Sequence, residues 1–79
     1  MIRFQIKGEP GIVEVANAQA LVEYMNETAK FGALTAKEYM LEYAMRAVTS
    51  RDIDIRATDF DSFVEDLATH GDIVIIEKS

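Results

Sequence analysis

Residues 52–76, DIDIRATDFDSFVEDLATHGDIVII, decide how the chain reads. Asp52-Ile53-Asp54-Ile55-Arg56 alternates charged and apolar side chains, the period of a strand with one wet face. Thr58 is placed to cap a helix over about 59–70, where Asp61 completes the cap and favours the helix dipole. Phe60, Phe63, Val64, Leu67 and Ala68 supply its apolar stripe, while Asp59, Asp61, Glu65 and Asp66 take the flanks and the outside. Gly71 suits the left-handed turn that ends such a helix. Ile73-Val74-Ile75-Ile76 is apolar on both faces and reads as a central strand. If its partner at 52–56 runs parallel, the unit is a right-handed βαβ crossover.

The residues before this stretch supply the other elements. Ile2, Phe4 and Ile6 alternate with Arg3, Gln5 and Lys7, again a strand with one buried face. Pro10 and Gly11 suit the centre of a type II turn, and Ile12-Val13-Glu14-Val15 reads as the returning strand of a hairpin. Asn17 caps a first helix of about 18–30, whose apolar face carries Ala18, Leu21, Val22, Met25 and Ala29, and Gly32 stops it. Thr35 and Glu38 form a capping box that opens a second helix of about 36–49.

That second helix has a narrow polar face, made of Glu38, Glu42, Arg46 and Thr49. Tyr39, Met40, Leu41, Tyr43, Ala44, Met45, Ala47 and Val48 spread over most of the remainder. Such a helix is either wedged between layers of its own domain or offers a second face to a partner. The expected fold is therefore α+β, a single small domain over 1–79. Its element order is β-β-α-α-β-α-β, with three helices on one side of a four-stranded sheet.

Charge is distributed unevenly. Of 14 carboxylates, six (Asp59, Asp61, Glu65, Asp66, Asp72 and Glu77) fall between Ala57 and Glu77, a span without Lys or Arg. Elsewhere acids and bases balance, so the net charge of −6 belongs to this C-terminal unit. An acidic surface of this kind selects cationic partners and repels phosphates, so direct nucleic-acid binding is not expected. A winged-helix reading fails for the same reason, and because a strand stands where that fold needs a helix.

The chain has no cysteine, hence no disulfide or thiolate metal site, which fits a reducing cytoplasm. Its N-terminus reads as a strand and not a signal peptide, and its longest apolar run is far too short to span a membrane. A chain of 79 residues buries only about 60–65 % of its unfolded surface, so core changes should be felt strongly.

Catalytic and cofactor signatures are weak. The glycine-containing loop at 8–11 lacks the Lys-Ser/Thr ending and following helix of a phosphate loop. His70, the one histidine, is expected to meet the terminal carbonyls of its helix, and Ser62 lies about 12 Å from it along the axis. An EF-hand loop begun at Asp52 would need glycine at Ala57 and glutamate at Phe63. Asp52 and Asp54 with Asp59 or Asp61 offer at most a loose divalent site, and no metal or cofactor is expected. The carboxylates lie on the wet side of a helix with no pocket to raise a pKa, so an enzyme is not expected.

The expected function is a small acidic protein-binding module, a non-enzymatic regulator or inhibitor that occupies a partner's surface. Its format is that of phage or mobile-element accessory proteins. The expected contacts are Asp59, Asp61, Glu65, Asp66 and Asp72, with Tyr39, Tyr43 or Met45 as apolar anchors. The expected partner is another protein with a basic surface, not a membrane. Two alternatives stand beside it: a nucleic-acid mimic whose carboxylates imitate phosphates, and a self-assembling subunit paired through its second helix.

Overall fold

The structure, a computed structural model, describes residues 1–30 and 32–79. It is a small α+β domain built from β1 (Ile2–Ile6), β2 (Val13–Val15), α1 (Ala18–Thr28), α2 (Ala36–Arg51), α3 (Phe60–Thr69) and β3 (Ile73–Lys78). The sheet has three strands in the order β2-β1-β3, with both pairings antiparallel. The expected fourth strand and the parallel crossover are absent among the described residues, and β1, not β3, is the central strand.

The backbone of residues 52–56 is committed elsewhere. α2 runs to Arg51, and Asp52 turns out of it with φ 54°, the left-handed conformation of a helix end. The Asp52 N–H donates to the Val48 carbonyl and the Ile53 N–H to that of Ala47. The Arg56 N–H donates to the Asp66 carboxylate at 2.8 Å. These donors, which a ladder would need, close a helix end and anchor the link to α3. The alternation still sets burial, since Ile55 is core while Asp54 and Arg56 face solvent.

Caps fall where short polar side chains meet free amides. Asn17, Thr35 and Asp59 accept from the N–H groups of Ala20, Glu38 and Ser62. The third cap is thus Asp59, one residue past the expected Thr58. α1 ends at Thr28, before Gly32. The Asn26 side chain donates to the Ala33 carbonyl (2.9 Å) and accepts from its N–H (2.7 Å), folding the chain back over the helix end. A Cβ on Gly32 would stand 2.7 Å from the Asn26 carbonyl oxygen, so close approach is what demands glycine there.

The inner face of the sheet and the three helices share one core. Phe4, Leu21, Val22, Phe63 and Leu67 are fully buried, and Phe4–Tyr24 and Tyr43–Phe63 meet edge to face. On the outer face Arg3 lies between Glu14 of β2 and Glu77 of β3, its register partners on both sides. Val74 and Ile76 are exposed on β3, an edge strand paired only with β1 among the described residues.

Candidate functional site

The acidic C-terminal unit is divided by the fold into carboxylates that hold the structure and carboxylates that face solvent. Asp72 belongs to the first group. It is buried, accepts two bonds from the Arg51 guanidinium (2.7 and 2.8 Å) and takes the Tyr43 hydroxyl at 2.6 Å. Arg51 holds the Asp72 carboxyl below the usual range. Burial pushes the Tyr43 phenol well up, and its bond to Asp72 adds to the shift. The site thus joins the end of α2 to the turn before β3.

Asp66 makes a second staple. It accepts from the backbone N–H, Nε and Nη2 of Arg56, which lower its pKa and pin the 52–59 link on α3. Asp59 caps α3 and accepts from the Ser62 amide and hydroxyl, which hold its pKa below the ordinary value. All three carboxyls are held below their ordinary pKa, and each is engaged within the chain.

Asp61 and Glu65 stand differently. They are exposed, four residues apart, and so neighbours on the outer face of α3. Glu65 is reached by the edge of the Arg56 guanidinium at 3.4 Å, with its side chain 72 % exposed. Asp61 has no ion-pair partner among the described residues. Of the five acidic candidates, then, the geometry leaves two as an open anionic face.

Of the aromatic candidates, Tyr39 is in the core, and burial raises its phenol pKa. Tyr43 is half-buried between Phe63 and Asp72, with Arg46 over its ring. Neither stands out as an anchor. The second apolar face expected of α2 lies on its opposite side, where Leu41, Met45 and Val48 are 47, 69 and 52 % exposed. These residues and Ala44 line a shallow groove of about 360 Å³ closed by Thr49, Asp54 and Ile55. The wheel held a signal for this: Tyr39, Met40, Tyr43 and Ala47 cluster on one side, and the larger aromatic surface is the one worth burying.

Among the described residues no three His, Cys, Asp or Glu side chains come together as a metal site. His70 is the exposed C-cap of α3, its backbone N–H donating to the Asp66 carbonyl, while Ser62 is spent on Asp59. Among the described residues no helix is long and apolar enough to cross a membrane. No protein-family model matches the chain, and the searches of curated proteins and of solved structures return no significant similarity.

Proposed function

We propose that the protein is a small non-enzymatic binding module, a regulator or inhibitor that docks the outer face of α3 on a basic surface of another protein. The observation behind this reading is the pair Asp61 and Glu65, exposed one helical turn apart on a helix that itself contains no cation. Asp59 and Asp66 extend the field from fixed positions. Such a field speeds encounter with Lys- and Arg-rich surfaces, and its effect falls steeply with ionic strength. The nucleic-acid-mimic alternative draws less support, because Arg51 and Arg56 fold onto the acidic unit and interrupt any phosphate-like series.

The test compares two baits in nuclease-treated cell lysate: the natural chain and the Asp61→Lys, Glu65→Lys double variant. The expected result is one or more basic proteins captured at low salt by the natural chain, released at high salt, and not retained by the variant. Equal capture by both baits would remove α3 from the interface. Asp66 is excluded from the variant because its loss frees Arg56 and the 52–59 link, confounding binding with stability.

A further inference from the structure

We propose that the cleft along the last turns of α2, between Arg46 and Arg51, binds a phosphate group as a tetrahedral dianion. This cleft is separate from the α3 face and stands or falls independently of it.

The cleft measures about 270 Å³ and is lined by Tyr43, Arg46, Ala47, Ser50 and Arg51. Each follows the last by one, three or four residues, so all share one side of the helix. Ala47 is buried and makes a small floor, while Arg46, Ser50 and Arg51 are exposed. Both guanidinia gather about the same tyrosine. Arg46 stands 5.8 Å from the centre of the Tyr43 ring. Arg51 donates at 2.8 Å to the Asp72 oxygen that also takes the Tyr43 hydroxyl.

The ligand class follows from a lining that offers donors and no carboxylate. Arg46 and the Ser50 hydroxyl have no hydrogen-bond or ion-pair partner among the described residues. Asp72 accepts from both terminal nitrogens of Arg51 and leaves its Nε–H open. The helix-end carbonyls of Ala47 and Val48, which would repel an anion, already accept from the Ile53 and Asp52 amides. Glu42, one turn before Arg46, does not line the cleft. A planar carboxylate matches a single guanidinium fork. Phosphate oxygens point in several directions, so one group can accept from two guanidinia and a hydroxyl at once. The net charge of −6 opposes a polyanion spread over the whole surface. Exposed charges more than about 8 Å away are largely screened at physiological ionic strength, so a single phosphate here feels mainly the arginines. The cleft is larger than a phosphate ion and takes either the free ion or the phosphoryl end of a small ester.

Titration of the isotope-labelled full chain at constant ionic strength, followed by magnetic resonance of the amide and arginine Nε–H signals, tests the site. Inorganic phosphate and phenyl phosphate are the probes, with acetate as the control. Saturable shifts at Arg46, Ser50 and Arg51 are expected with both phosphates, half complete at about 1–10 mM, as suits an exposed site. Phenyl phosphate binding more than about threefold tighter would identify the ligand as a phosphate ester, and weaker discrimination would identify it as the free ion. Arg46→Gln, at an exposed position, should weaken binding by about tenfold while the circular dichroism spectrum stays unchanged. Arg51 is left in place because its loss would release Asp72. Shifts that never saturate, that acetate reproduces, or that persist undiminished in the Arg46→Gln chain would overturn the assignment.

Discussion

Replacing Asp72 by Asn removes one negative charge from a buried junction while keeping its shape. The carboxylate accepts two bonds from Arg51 and one from Tyr43. An amide still accepts from Tyr43, but it turns an NH₂ towards a guanidinium that has nothing to accept with. Bonds to charged groups contribute about 1.5–3 kcal/mol each. The Arg51 side chain is 40 % exposed, so solvent screens the pair, and a total loss of about 2 kcal/mol is the appropriate figure. A domain of this size has about 4–12 kcal/mol in all, so thermal unfolding should move down by about 8–16 °C at neutral pH. The pH dependence gives an independent check. Because Arg51 depresses the folded-state pKa of Asp72, its contribution is fully present above the unfolded value of about 3.9 and fades as pH falls through the folded one. The gap between natural chain and variant should therefore be constant at neutral pH and close in acid. Urea unfolding followed by circular dichroism at several pH values measures it. Equal stability at pH 7, or a gap that persists unchanged in strong acid, would refute the assignment of Asp72 as a charged staple.

Two other substitutions test the links between elements. Gly32→Ala forces a Cβ to within 2.7 Å of the Asn26 carbonyl oxygen, so the clamp on Ala33 must shift; a loss of about 1–3 kcal/mol in chemical denaturation is expected. A neutral result there would mean the α1–α2 connection gives way freely. Asp52→Gly should instead stabilise the fold by about 0.5–1 kcal/mol, because a residue with a Cβ now holds the left-handed position that ends α2. A lower melting temperature for this variant would show that the Asp52 side chain contributes more than its backbone strain costs.

The sheet's three strands and the three helices were legible in the sequence because each rests on local signals. Alternation at 2–6, a cap at Asn17, a cap at Thr35 and a helical stripe through Phe63 and Leu67 need no knowledge of the rest of the chain. The fourth strand was misread because alternation reports which side chains are buried, not what the backbone bonds to. Ile53 and Ile55 do turn inward, but a ladder also needs free donors. Those of Ile53 and Arg56 go to the α2 end and to Asp66. Nothing local distinguishes Asp52 as a strand residue from Asp52 as a helix end in the left-handed region. The acidic unit was legible as composition only. Its division into engaged and open carboxylates depends on Arg51 and Arg56, which lie outside it in sequence and reach it only once the chain has folded.

That division explains why so short a link can stay ordered without a ladder. Between Arg51 and Asp59 the chain passes from one helix to the next with only Ile55 fully buried. Beside the Asp52 and Ile53 amides on the end of α2, its restraints are Arg51 on Asp72 at one end and Arg56 on Asp66 at the other, with Asp59 capping α3. Each staple needs a carboxylate on the α3–β3 side and a cation on the link side, which sorts acids and bases into separate stretches of sequence for purely structural reasons. A carboxylate-rich span is therefore weak evidence for an acidic docking face until the staples are subtracted. Subtracting them leaves Asp61, without an ion-pair partner among the described residues, and Glu65, touched at 3.4 Å by the edge of Arg56, side by side on α3. Asp61 gains from the dipole in the first turn of α3 and Glu65 from the edge of Arg56, but both remain exposed and like-charged at a spacing where their mutual repulsion slightly weakens the helix. The docking proposal rests on these two residues rather than on the net charge.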